Sequence, residues 1–397
     1  MPDHAPNTGD ARLHCAGVGL RGSGYPNAIN TLHRLRRAGI AIDDRVDWLP
    51  EGFQLWKAAR GPLQTKLRLY GKLLIGNALA AARLCFGRSS AHTIAYIPYP
   101  AVFLLWWLSW VPRRWRPKLI ADAYISVWDS MVRDRGMMAS ERLSSRLLKR
   151  FEGRALRAAD AVLVDTVANR GWMIEAFGLD PDAVHAIPLA IDDAPLLDIP
   201  PRQASSPLRV IFIGTFVPLH GADVLTEVAR KAKQHASRFT LHFIGDGQNA
   251  APLEQLLAED SPAFTWERAW LSHMQIVERL AQCDVCLGVF GGSEKAARVL
   301  PFKLYLALAA GRCTLTQRHF SLPESVPDPP METVEANPDH VIAHLLALAD
   351  DPARVDRTGA DARAFYLATL GEQATVRFWK QLLASFKGDS KSRAKTP

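Results

Sequence analysis

The chain has 397 residues, of which 48% are apolar and 22% charged, with 26 glycines and 26 prolines; these globular values exclude a collagen, a coiled coil or a disordered chain and leave room for about two domains. Five cysteines argue against a disulfide framework and for a reducing compartment, and the start, MPDHAPNTGDARLHC, carries acids and lacks the apolar stretch of a secretory signal. The net charge of +8 is concentrated in one half: residues 1–200 hold 26 Lys and Arg against 19 Asp and Glu, residues 201–397 hold 22 against 21.

In chain order, Leu13–Val18 reads as a first strand, Gly17, Gly19, Gly22 and Gly24 as a glycine-rich turn, and Asn27–Ala38 as a helix. Residues 52–121 carry 11 basic residues, 11 aromatics and no acid, a surface that seeks polyanions such as an anionic membrane or nucleic acid. The longest uncharged run, Thr93–Pro112, is broken by Pro98 and Pro100 into a strand (TIAYI) and a helix over Ala101–Val111. That helix would be about 17 Å long, too short for a hydrocarbon core of about 30 Å. Trp106, Trp107, Trp110, Arg113, Arg114 and Trp115 instead fit a helix lying in the membrane interface; the alternative is a buried helix followed by a basic loop. Leu119–Ala121 and Ala161–Val164 are further strands, with a helix of mixed charge over 140–159 between them.

Pro195, Pro200, Pro201 and Pro207, with Ser205 and Ser206, mark a linker. Beyond it, Leu208–Gly214, Phe239–Gly245, Phe264–Trp266, Val285–Phe290 and Cys313–Thr316 alternate with helical patterns over 222–236, 252–258, 272–282 and 301–310. Ser272 and Gln275 form a capping-box signature, and Gly311 stops the last of these helices. Such alternation means βαβ units and parallel sheets. The expected plan is two Rossmann-like doubly wound domains facing a cleft, over 1–195 and 205–366. A helix over 367–388 carries Val376, Phe378, Trp379, Leu382, Leu383 and Phe386 on one face and crosses back to the first domain; a disordered tail, 389–397, follows.

Candidate chemistry sits at strand ends, where open α/β sheets bind ligands. In Gly214-Thr215-Phe-Val-Pro-Leu-His220-Gly221 a glycine ends a strand and another opens a helix, the arrangement that favours phosphate; a plain turn with a solvated His is the alternative. The segment Gly291-Gly292-Ser293-Glu-Lys295-Ala-Ala-Arg298, with Lys303 beyond it, adds cations for a diphosphate, against a solvated basic helix face. Gly245-Asp-Gly247 is a third glycine loop or a tight turn. Asp122, Asp129 and Asp134 follow the strand at Leu119, where a carboxylate can act as a base or orient a hydroxyl, or pair with Arg133 or Arg135. Cys283 and Cys286 lack a second pair and read as structural.

These segments, GTFVPLHG, FIGDG, CDVCLGVFGGSEKAARVLPFKLYLALAAG and RCTLT, resemble the donor domain of the retaining family 4 glycosyltransferases of the GT-B fold, and 159–192 resembles the end of that family's first domain. The resemblance implies a nucleotide-diphosphate sugar as donor substrate and a lipid-linked or glycan acceptor, as in polysaccharide or glycolipid synthesis on the cytoplasmic face of the membrane, with no metal and no cofactor. Donor binding falls to Gly214, Thr215, His220, Gly221, Gly245, Gly292, Ser293, Lys295 and Leu306, and the acceptor-side loop to Gly22 and Gly24. The chemistry falls to Asp122, Arg298 and Lys303. The family has Lys where His220 stands and Glu where Arg298 and Leu306 stand; the second Glu grips the ribose. A non-catalytic scaffold with a decayed donor site is the competing reading. A nucleic-acid binder, motivated by a pI near 9.3, has no recognised module behind it.

Overall fold

The computed structural model describes residues 12–21, 25–50, 53, 62–86, 93–134, 136, 138–257 and 262–393. Gly22 and Gly24 lie outside the described residues, as does the side chain of Asp134.

Among the described residues twelve strands form two six-stranded sheets. The first sheet holds β1 (Leu13–Gly19), β2 (Ile42–Trp48), β3 (Ile94–Ile97), β4 (Lys118–Asp122), β5 (Ala161–Val164) and β6 (Val184–Ala186) in the order β2-β1-β3-β4-β5-β6, all parallel. The second holds β7 (Leu208–Ile213), β8 (Phe239–Ile244), β9 (Phe264–Glu267), β10 (Val285–Leu287), β11 (Cys313–Gln317) and β12 (Glu332–Val334) in the order β12-β11-β10-β7-β8-β9, also parallel. Strands β3, β5 and β10 are buried throughout, as continuous apolar runs covered by helices on both faces require, and β11 is buried throughout although it carries Thr314, Thr316 and Gln317. Each sheet reverses its strand order once, between β1 and β3 and between β7 and β10, and crevices open at the carboxyl ends of those strands.

Strand β2 escapes the sequence patterning because IDDRVDW carries four charges; it is an edge strand with one half-exposed face. The glycine turn and basic stretch also hide a long helix over 63–86, built from Leu63–Gly71, a π-helical turn at Lys72–Gly76 and Asn77–Phe86. The helix after β3 is shorter than its uncharged run, Val102–Leu108.

The final helix, Glu372–Arg393, lays Trp379, Leu382 and Leu383 into a core shared with Leu13, Tyr96, Ile120 and Leu163 of the first sheet. Trp379 is fully buried and meets Tyr96 edge-on at 5.2 Å between ring centroids. The helix runs into the stretch assigned to a disordered tail from 389, because no proline interrupts it before Pro397 and Lys, Ser and Arg continue a turn once it is nucleated. Residues 394–397 lie outside the described residues.

Buried Arg34 ties the two units together. Its guanidinium donates to Asp193 (2.8 Å), the Tyr366 hydroxyl (2.9 Å) and the Thr375 hydroxyl (2.8 Å), joining the first helix, the connection between the sheets and the last two helices.

Candidate active site

A cleft of about 390 Å³ lies between the two sheets, lined from both. On its second-domain wall Gly214 ends β7 and Gly245 ends β8. A Cβ on Gly214 would stand 2.5 Å from Lys303 Nζ, and one on Gly245, whose φ is +119°, would strike the Gly214 carbonyl. Gly245 therefore needs glycine, while the bare backbone at Gly214 leaves the space at the strand end that Lys303 occupies. Lys303 Nζ lies 3.7 Å from the centroid of the Phe212 ring, is shielded from solvent and has no hydrogen-bond partner among the described residues. Burial holds its pKa well below that of an ordinary lysine.

His220 also reaches this wall. Its Nδ1 meets the Thr215 carbonyl, which can only accept, so the proton sits on Nδ1. Donation from Nε2 to a phosphate then requires the doubly protonated ring. Gly221 opens the next helix at φ +73°, with the Phe290 carbonyl filling the space of a side chain. Leu306 is 3% exposed and belongs to the second-domain core as well as the cleft lining.

On the first-domain wall Asp122 ends β4, 2% exposed. It accepts hydrogen bonds from the Tyr96 hydroxyl (2.9 Å) and Asn27 Nδ2 (3.2 Å). Burial pushes its carboxyl up from 3.8 to about 6, against the pull of these bonds. Asp165, at the end of β5, is the counterpart that the sequence reading missed. It accepts from Asn169 (2.6 Å), and burial raises it to about 6. Its signal was available: like Asp122, it is the first acid after a buried apolar strand. Trp172, Trp270 and the stacked Tyr25–Tyr99 pair (5.3 Å) add aromatic faces to the cleft.

The glycine loop after β10 is divided. Lys295 lines the cleft, whereas Arg298 lies behind it, 7% exposed. Arg298 donates to Asn169 (3.1 Å), approaches Asp129 (3.5 Å) and stacks over Trp172 (4.4 Å), all on the first domain. Gly292, at φ +61°, donates its N–H to Gln317, and the Ser293 hydroxyl caps the short helix Glu294–Ala297. Asp129 pairs with Lys295 (3.1 Å) rather than with a neighbouring arginine.

Of the tryptophans assigned to a membrane surface, Trp106 packs on Phe151 and Trp107 donates to the Leu74 carbonyl (3.1 Å), so both are half-buried. Helical periodicity turns that face inward. Trp110, Arg113, Arg114 and Trp115 are exposed. Cys283 and Cys286 are buried, with Sγ atoms 3.5 Å apart. Among the described residues no cluster of His, Cys, Asp or Glu is disposed to hold a metal ion.

No protein-family model and no curated protein sequence matches the chain. Solved structures do. Sucrose-phosphate synthase from Thermosynechococcus elongatus aligns over 95% of this chain and all of its own, with a TM-score of 0.62 at 16% identity. Anabaena HepE, solved with UDP, aligns over 94% of this chain and 100% of its own, with a TM-score of 0.61 at 12% identity. The fold is GT-B. TarM aligns over 78% of this chain with a TM-score of 0.59 at 12% identity, and there the match spans only 58% of TarM's length.

Proposed function

We propose that the chain is a glycosyltransferase that moves a sugar from a nucleotide-diphosphate donor to a lipid-linked or glycan acceptor, with retention of anomeric configuration. The observation that carries this reading is Lys303: a cation without an anionic partner among the described residues, set beside the bare backbone of Gly214 at the ligand-binding end of the second sheet. A diphosphate leaving group gains negative charge as the glycosidic bond breaks. A cation fixed there binds the transition state better than the ground state. Lys295, with the Gly214–Gly221 loop and Gly245, completes the donor side, while Arg298 lies behind it. Asp122 faces them from the first domain, where a carboxylate can take or orient the acceptor hydroxyl. Structures of this fold solved with UDP and UDP-glucose support a nucleotide-sugar donor.

The acceptor side supports a bilayer as the place of reaction. Among the described residues one helix, Leu67–Phe86, is long and apolar enough to cross a membrane. Leu69 and Leu73 are buried with Leu20 and Tyr25, which line the cleft, so the helix lies along the domain. Its outer face leaves Ile75 64% and Phe86 89% exposed, beside Arg68, Lys72 and Arg83. With Trp110, Arg113, Arg114 and Trp115 it makes an apolar, basic surface suited to an anionic lipid interface.

Screening the purified protein against nucleotide sugars, by thermal stabilisation and donor hydrolysis, tests the reading. Stabilisation by one nucleotide-diphosphate sugar with slow hydrolysis is expected; the absence of any response across UDP-, GDP-, ADP- and TDP-sugars overturns it.

A further inference from the structure

Asp129 stands across the cleft from the donor-side cations. It is 4% exposed and held rigidly: the Ser126 hydroxyl accepts its amide, and Glu152 receives the preceding amides of Val127 and Trp128 (2.9 and 2.7 Å). Its Oδ2 lies 3.1 Å from Lys295 Nζ and 3.5 Å from an Arg298 nitrogen. The same loop is clasped by Arg133 to Glu294 (2.9 Å) and by the Thr166 hydroxyl to the Arg298 carbonyl. The clasp is incomplete: Asp129 Oδ1 and Arg298 Nε are buried without a hydrogen bond among the described residues. Asp129 and Lys295 both line the cleft, and the Glu294–Ala297 turn packs on the Pro218–His220 turn that borders Gly214 and Lys303.

We propose that Asp129 is a built-in competitor of the donor's diphosphate, neutralising Lys295 from the opposite domain until the diphosphate displaces it. This rests on the donor reading above. A single carboxylate leaves its own Oδ1 and the buried Arg298 Nε without a hydrogen bond among the described residues. A diphosphate offers more acceptor oxygens and more charge, so it wins Lys295, whereas a lone monophosphate gains little over the carboxylate it replaces. Asp129 thus sets the threshold of charge a ligand must bring, and its release removes one of the bonds that hold the donor loop to the first domain.

Inorganic pyrophosphate is titrated calorimetrically into the wild type, Asp129→Asn, Lys295→Ala and the double variant, with Asp129→Ser as a smaller replacement. Both Asp129 variants are expected to bind pyrophosphate about tenfold more tightly, the worth of one charge-assisted hydrogen bond returned to the ligand. The gain is expected to vanish when Lys295 is also alanine, and monophosphate is expected to gain relatively more than pyrophosphate. Equal or weaker pyrophosphate binding in the Asp129 variants, including no binding in any of the proteins, overturns the proposal. So does a gain that persists without Lys295. The donor reading is judged separately by the nucleotide-sugar screen: tighter pyrophosphate binding without any nucleotide-sugar response leaves the competitor standing and removes the glycosyl donor.

Discussion

Asp122→Asn should stabilise the protein at neutral pH while it cripples the proposed reaction. Burial raises the folded-state pKa of Asp122 from 3.8 to about 6. A raised carboxyl contributes fully below its unfolded value, and that contribution is lost as pH rises through the folded value. Linkage with those two values makes the raised pKa of Asp122 cost about 1 kcal/mol at pH 4.5, where it folds protonated, and about 3 kcal/mol at pH 7.5, where it folds ionised. Asparagine cannot ionise, so the stability of Asp122→Asn relative to wild type should increase by about 2 kcal/mol between these pH values. This difference is insensitive to how well the amide refits between Tyr96 and Asn27, which affects both pH values alike. Equilibrium urea denaturation of both proteins at pH 4.5 and 7.5 measures it. Turnover with an identified donor and acceptor should fall by about 10²-fold or more, and the acid limb of the wild-type rate profile, rising through about pH 6, should disappear. A stability difference that does not change with pH refutes the burial argument. A retained acid limb in the variant removes Asp122 from the chemistry.

Lys303→Met keeps the length of the side chain and removes an ammonium that burial disfavours; it should raise the melting temperature while lowering turnover on the order of 10²-fold, and near-normal kinetics would withdraw Lys303 from the donor site. Arg34→Ala strips a buried guanidinium from Asp193, Tyr366 and Thr375 and should cost about 3–5 kcal/mol by chemical denaturation, whereas a loss below about 1 kcal/mol would show that the network does not hold the two units together. The double variant Ile75→Glu with Leu79→Glu, changed on the outer face of the long helix, should lose flotation with anionic vesicles while its circular dichroism stays unchanged; undiminished flotation would move the bilayer contact elsewhere.

The parallel sheets were legible because their strands carry the pattern on their own residues. LRVIFI, FTLHFI and VCL are apolar runs closed by glycine or a turn, and the Ser272 capping box appears in the structure as written, with the Ser272 hydroxyl and Gln275 each serving the other's backbone. Elements whose faces are not set by local pattern were not legible. Strand β2 is charged because it lies at an edge. The helix over 63–86 mixes exposed Leu67, Ile75, Leu79 and Phe86 with its basic residues on the outer face, so its periodicity is weak.

For the site, the sequence alone determined which cations and glycines follow which strands, because strand-end loops are contiguous in the chain. It placed Gly214, His220, Gly245 and Lys303 at one end of one sheet, and Asp122 at the end of another. Only the tertiary structure decided that Lys303 reaches the Gly214 backbone while Arg298, five residues earlier, is drawn behind the cleft by Asp129, Asn169 and Trp172. Those partners lie more than a hundred residues away on the other sheet. An ion pair formed across a cleft depends on how two domains meet, and no spacing within either half encodes that.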